Sequence, residues 1–299
     1  MQKKVYSASV TPLTAEGALD VEGLNRIFAR NIRHGLDGIF ILGSMGEWRC
    51  FDSAFRDRLV AESVRAVAGR TELLVGITDV TTEAALGNMR RIAGQAFDSY
   101  VFMLPKAAEG GDPVREVRTV LDAADRPVYY YHCPPNNGIE LSLAQFETIL
   151  SHPNLKGIKN SASNMWLRRE LILLRREKRL APILLEGQEW SADEALLVGY
   201  DGMLCGMGAL GSKLMVGIAR AVEAGNTAEA VRLQNRFIEL FHGVYGKDLS
   251  TVWVGQKYAL KCLGLCASEH TLAQPVSALT EPRRREIEAC VEEFRDELD

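Results

Sequence analysis

The sequence predicts a (β/α)8 barrel followed by a helical C-terminal region. Eight short apolar runs recur along the first 205 residues, amphipathic segments separate them, and only helical patterns follow the eighth run. Short, nearly uninterrupted apolar runs are what strands buried on both faces require. Strict alternation with helices demands parallel strands joined by right-handed crossovers. Eight evenly spaced repeats favour closure into a barrel over an open, doubly wound sheet.

The runs fall at residues 5–10, 38–42, 73–77, 100–104, 128–132, 155–159, 183–186 and 202–205. Between them, Leu24, Ile27, Phe28 and Ile32 repeat at helical spacing, as do Leu59, Val60, Val64 and Val67. Asp20, Asp52 and Ser142 mark helix starts, and Ser142 with Gln145 forms a capping box. Gly35, Gly69 and Gly199 mark helix ends. Beyond the eighth run, helices are predicted over residues 214–224, 227–244, 250–263 and 281–297, with Asn226 and Glu229 starting the second. The expected organisation is a catalytic barrel over residues 1–224 and a helical region over residues 225–299, with no flexible linker or low-complexity tract.

Composition narrows the function. A hydrophobic fraction of 47% and a charged fraction of 25% are those of a globular chain, not of a disordered, collagen-like or coiled-coil one. The net charge of −4 and the lack of a long basic run argue against a nucleic-acid partner. Arg175, Arg176, Lys178 and Arg179 cluster near Glu170 and Glu177, which reads as a solvated helix face. The most apolar stretch, residues 195–221, is dotted with glycine and carries Asp201 and Lys213, so no membrane span is expected. The start of the chain lacks the apolar region of a signal peptide. The six cysteines form no Cys-x-x-Cys pair, and five scattered histidines offer no zinc motif. No metal is expected, and the cytoplasm is the simplest compartment.

A barrel presents its reactive groups at the carboxyl ends of its strands. The second run leads into Gly43-Ser44-Met45-Gly46-Glu47, where backbone N–H groups and the Ser44 hydroxyl could hold a carboxylate or phosphate. The fifth ends Tyr129-Tyr130-Tyr131-His132, and alternation puts Tyr129 and Tyr131 on one face, Tyr130 and His132 on the other. A tyrosine in the barrel mouth could relay protons or simply plug the barrel, while His132 reads as structural, facing the helix layer. The sixth ends Ile158-Lys159, and a lysine there costs desolvation energy unless it is paired or functional. Burial would leave it a neutral amine able to form a Schiff base with a ketone. Lys156, at the start of that run, belongs to the barrel bottom or solvent. The eighth run opens Gly206-Met207-Gly208-Ala209-Leu210-Gly211, a G-x-G-x-x-G match that is rejected as a dinucleotide site because only helices follow. A phosphate site after the last strands stays open there.

Taken together, these residues resemble the dihydrodipicolinate synthase/N-acetylneuraminate lyase family of pyruvate-dependent class I aldolases. The resemblance rests on Gly43-Ser44-Met45-Gly46-Glu47, Tyr131 with Pro134 and Gly138, Gly157-Ile158-Lys159, Asp201-Gly202 with the glycine-rich turn, and Thr11-Pro12-Leu13, in order over nearly the whole chain. It implies that Lys159 forms the imine with the keto carbon of pyruvate or another 2-oxo acid and that Tyr131 transfers protons. Ser44 and the backbone N–H of Met45 would hold the carboxylate, and the expected substrate-binding set is Gly43, Ser44, Met45 and Gly208. It implies no organic cofactor, a 2-oxo acid and an aldehyde as small-molecule partners, and a homotetramer.

The sequence also departs from the pattern. Met45 stands where the family has a second hydroxyl, and Asn136 where dihydrodipicolinate synthases have an arginine. Pro105-Lys106-Ala107 lacks a tyrosine that many members share across subunits, and Leu210 and Gly187-Gln188-Glu189 differ from common substrate contacts. The expected activity is a Schiff-base lyase joining or cleaving pyruvate and an aldehyde, with poor activity on aspartate semialdehyde and better activity on a neutral, hydroxylated or apolar aldehyde. The alternatives are a dehydratase or hydratase of a 2-keto-3-deoxy sugar acid working through the same imine, and a non-catalytic 2-oxo-acid-binding module. Lys106 and Arg49 are the basic residues that could replace the missing arginine.

Overall fold

The computed structural model describes residues 2–106 and 111–299. Eight parallel strands close into a barrel in sequence order: β1 (Lys4–Ala8), β2 (Gly38–Ile41), β3 (Glu72–Gly76), β4 (Ser99–Phe102), β5 (Val128–His132), β6 (Leu155–Asn160), β7 (Ile183–Glu186) and β8 (Gly202–Cys205). Each lies within a few residues of its predicted run. The crossover helices are α1 (Val21–Arg33), α2 (Ser53–Val67), α3 (Thr82–Ile92), α4 (Pro113–Ala123), the short α5 (Pro134–Asn137) with α6 (Leu143–Leu150), α7 (Met165–Lys178), α8 (Ala192–Val198) and α9 (Gly208–Glu223). The helical region adds α10 (Thr227–Tyr245), α11 (Val252–Cys262), α12 (Glu281–Glu293) and α13 (Arg295–Leu298).

The predicted caps form. Asp20 accepts from the Gly23 amide, Asp52 from Phe55, Asn226 from Glu229, and Ser142 with Gln145 makes both bonds of a capping box. Two helix boundaries differ from expectation. The eighth crossover helix begins at Gly208 rather than residue 214, with non-helical backbone at Gly211, so part of the glycine-rich turn is already helix. The last predicted helix divides at Phe294, which is buried beneath the Arg236 guanidinium 3.7 Å from its ring. Anchoring that ring in the core stops α12 at a point that helical spacing alone does not mark.

Alternation along β5 sorts its side chains as expected. Tyr129 points into the barrel, its hydroxyl 3.4 Å from that of Tyr6 on β1. His132 points outward, its ring 5.0 Å from that of Phe146 on α6. Lys156 sits at the barrel bottom and pairs with Glu72 at 2.8 Å. The Arg175 side of the basic cluster on α7 is partly drawn inward, paired with Asp201 ahead of β8. The helical region is docked on the barrel, with α10 packed along α9, α11 reaching α9, and α13 closing against α9. This puts the end of α10 and the start of α11 over the carboxyl ends of the strands, where they help line a cavity.

Candidate active site

A cavity of about 310 Å³ opens at the carboxyl ends of the strands. Ala8, Ser44, Met45, Tyr131, Cys133, Lys159, Ser161, Gly187, Gln188, Glu189 and Gly206 line it from the barrel, and Phe241, Tyr245, Leu249, Val252 and Trp253 from the helical region. Parallel pairing of β5 with β6 puts Tyr131 directly beside Lys159. The Lys159 amine lies 4.2 Å from the centre of the Tyr131 ring and 5.5 Å from that of Phe40, and the residue is 4% exposed.

Burial sets the electrostatics. It lowers the Lys159 pKa from the ordinary lysine value, against the opposing pull of Cys133, Glu189, Cys205 and Glu186. Burial also pushes the Tyr131 phenol well above the usual tyrosine value, assisted by Cys133 and opposed by the Ser161 and Ser44 hydroxyls. The result is a neutral acid beside an amine whose proton is weakly held. A neutral amine is a nucleophile for a carbonyl carbon, and a phenol in reach can move the protons that such an addition displaces.

Ser44 and Met45 both line the cavity, brought there by a loop in which Leu42 and Glu47 adopt positive φ. Asn136, on α5, donates from Nδ2 to the Ser44 hydroxyl at 3.1 Å, and Trp253 on α11 donates from Nε1 to the Ser44 carbonyl at 3.1 Å. The arginine position therefore carries an amide committed to Ser44. Gly43 and Gly208, expected in the substrate-binding set, do not line the cavity. A side chain on Gly208 would meet Ser7 Cα at 2.7 Å, and one on Gly43 would meet the Phe40 ring at 2.6 Å. Both glycines serve close packing, and the glycine of the last turn that faces the cavity is Gly206. Arg49 stacks on Trp48 at 5.0 Å and lines a neighbouring space with it, while Lys106 lines another with Arg56 and Asp79. Neither lines the cavity of Lys159. Ala107, where the shared tyrosine is missing, lies outside the described residues.

The structure adds residues that sequence reading did not assign. Glu189, after β7, accepts through Oε1 from the Gly206 and Met207 amides at 2.6 and 3.1 Å, and so holds the turn after β8. Burial raises its pKa. Cys133 and Ser161 each lie two residues from a central side chain and share its cavity. Tyr245, Phe241 and Trp253 belong to helical patterns that read as core, and no local signal marks them. Among the described residues, no cluster of three His, Cys, Asp or Glu side chains could hold a metal ion, and no helix is long and apolar enough to cross a membrane.

The barrel and the cavity at its strand ends define a (β/α)8 enzyme. The family model for the dihydrodipicolinate synthetase family matches residues 1–294, so the chain belongs to that family and is a lyase of the class I aldolase type. A 4-hydroxy-tetrahydrodipicolinate synthase of Gluconacetobacter diazotrophicus is 26% identical over 291 residues, covering 96% of this chain and 95% of the relative. An uncharacterized DapA-like lyase of Halobacterium salinarum is 27% identical over 287 residues, covering 94% and 90%. Among solved structures, dihydrodipicolinate synthase from Bacteroides thetaiotaomicron superposes with a TM-score of 0.89 at 24% identity, covering 98% of each chain. YagE from E. coli K12, in complex with pyruvate, gives 0.87 at 22% identity, again over 98% of each. These superpositions show the fold.

Proposed function

We propose that this chain makes or breaks the carbon–carbon bond between pyruvate and an uncharged aldehyde through an imine on Lys159, with Tyr131 moving the protons. The observation that carries the reading is the buried Lys159 amine 4.2 Å from the Tyr131 ring at the strand ends. The neutral amine adds to C2 of pyruvate. Tyr131 gives its proton to the departing hydroxyl, which leaves as water and yields the protonated imine. That imine is an electron sink, so the phenolate can take a proton from C3 to form the enamine. The enamine carbon attacks the aldehyde carbon, the aldehyde oxygen takes a proton, and hydrolysis frees Lys159.

Ser44 and the Met45 amide are proposed to hold the pyruvate carboxylate, and the Asn136 contact supports this by fixing the Ser44 hydroxyl. An uncharged acceptor is supported by the cavity lining. Among the described residues that line it, Lys159 is the one basic side chain, and the imine ties it to pyruvate. A second carboxylate would be desolvated without a charged partner. Borohydride added with pyruvate should trap a covalent adduct on the peptide holding Lys159. An adduct on Lys156 or Lys213, or none, overturns the reading. Cytoplasmic location and the tetramer implied by the family resemblance are proposed with it, the latter to be read by sedimentation.

A further inference from the structure

A protonated imine on Lys159 presents one N–H, and a buried serine stands where it can accept it. Alternation along β6 and just beyond it puts Lys159 and Ser161 on the same face, and both line the cavity. Ser161 is fixed through its backbone. Its amide donates to the His132 carbonyl and its carbonyl accepts from Gln188 Nε2, each at 2.8 Å. The residue is 4% exposed, and its hydroxyl has no hydrogen-bond partner among the described residues. A buried hydroxyl without a partner is uncommon in a folded protein and needs an explanation.

Gly187 locates that hydroxyl. Pairing of β6 with β7 brings Gly187 beside Ser161, and the Gly187 amide donates to the Asn160 carbonyl at 2.9 Å. A Cβ on Gly187 would stand 2.0 Å from Ser161 Oγ and 2.9 Å from Lys159 Cε. One slot without a side chain of its own therefore holds both the serine hydroxyl and the end of the lysine arm, and the amine is one bond beyond Cε. Glu186 Oε1 steadies the slot by accepting from the Gly187 and Gln188 amides at 3.1 and 3.0 Å. The hydroxyl is closed to water, so the group it serves belongs to the protein's own lysine and not to the far end of a substrate.

We infer that Ser161 takes part in the chemistry by accepting, through Oγ, the N–H of the protonated imine on Lys159. The free lysine makes no hydrogen bond to this oxygen, so the contact is gained only when the imine forms. Such a contact favours the intermediate over the resting enzyme. The imine carries a buried positive charge, and a hydrogen bond to a charged group is worth more than one between neutral groups. By favouring the charged form, the bond keeps the electron sink protonated to higher pH. Met45 leaves the loop after β2 without the family's second hydroxyl, and Ser161 brings a hydroxyl to the site from the end of β6.

This role presupposes the imine reading, and exchange of the pyruvate C3 hydrogens in D2O, followed by NMR, tests it with no aldehyde present. The titratable groups that act on Lys159 are Tyr131 and Cys133 at the end of β5, Glu186 and Glu189 at the end of β7, and Cys205 on β8. All of them remain in Ser161→Ala. In that variant the half-saturating pyruvate concentration should rise roughly tenfold. At saturating pyruvate, the alkaline limb of the exchange rate should move down by about one pH unit. Neither quantity depends on how much of the protein is folded. An unmoved limb overturns the role of Ser161, even where half-saturation rises, since packing alone would alter affinity without moving the limb. Borohydride trapping on Lys159 in the same samples shows that the imine reading survives that failure. Absence of any Lys159 adduct in the natural protein overturns both readings.

Discussion

The two ends of the cavity are built in different ways. At the end proposed to form the imine, Tyr131 and Lys159 are neighbours because β5 and β6 are paired in parallel, and that register is held by burial on both strand faces. At the opposite wall, Glu189 comes from a loop, and Tyr245 and Trp253 come from helices packed over the barrel mouth. Backbone pairing fixes the reacting groups, and helix packing fixes what lies opposite them. Under the proposed function, substitutions in the helical region would change what the enzyme accepts and leave the reacting pair in place.

Substitutions at the imine end should therefore lower every reaction equally, whatever the aldehyde. Lys159→Ala should abolish both the borohydride adduct and turnover for all aldehydes, the largest effect expected. Turnover of any one aldehyde by that variant would show that the ends do not share a single chemistry. Tyr131→Phe removes only a hydroxyl, and kcat should fall by about 10²–10⁴, the usual contribution of a positioned acid–base group. A uniform fall across aldehydes supports the division. A fall confined to one aldehyde would place Tyr131 in recognition instead.

How much of this was legible in the sequence follows the same division. The barrel, its strand order and Lys159 at the end of the sixth run could be read because short apolar runs and period-two alternation are local signals. The pairing of Tyr131 with Lys159 could be expected from the resemblance. At Gly208 and Gly43 the sequence does not separate a glycine serving close packing from one serving ligand approach, and the structure adds the packing neighbours, Ser7 and the Phe40 ring. Phe241 and Tyr245 sit at helical spacing on α10, as any core pair would. Only the docking of α10 on α9 turns that face toward the cavity, and docking is a long-range property without a local signature.

The two ends are joined by a buried clamp, which offers a way to test their coupling. Glu47, which ends the loop bearing Ser44, forms an ion pair with Lys257 on α11, both side chains fully buried. Glu47 Oε2 also accepts from Thr271 Oγ1 at 2.6 Å and the Leu272 amide at 2.7 Å, and the Lys257 amine donates to the His270 carbonyl at 2.9 Å. Lys257→Met leaves a buried carboxylate without its cation, which costs about 3–5 kcal/mol. Chemical denaturation should show that loss, and Glu47→Gln added to Lys257→Met should recover part of it. A loss below about 1 kcal/mol would mean that loop and helix are held by the remaining packing.

The smallest effect concerns the outer face of β5, one residue from the chemistry. His132 is fully buried, neither ring nitrogen has a hydrogen-bond partner among the described residues, and Glu140 approaches Nε2 only to 3.8 Å. Burial lowers its pKa from 6.5 to about 4. The folded protein keeps His132 neutral down to about pH 4, while the unfolded chain binds a proton from pH 6.5 downward. Stability from this group is therefore full above 6.5 and lost as the pH falls toward 4. Linkage puts the loss between pH 8 and pH 5 at about 2 kcal/mol. His132→Gln cannot titrate, so its unfolding free energy should fall by about 2 kcal/mol less over that interval. The pH profile of pyruvate trapping should not move, because His132 points into the helix layer and Tyr131 into the cavity. A trapping profile that moves with His132→Gln would show that the two faces of β5 are coupled, and that alternation along one strand does not separate structure from chemistry here.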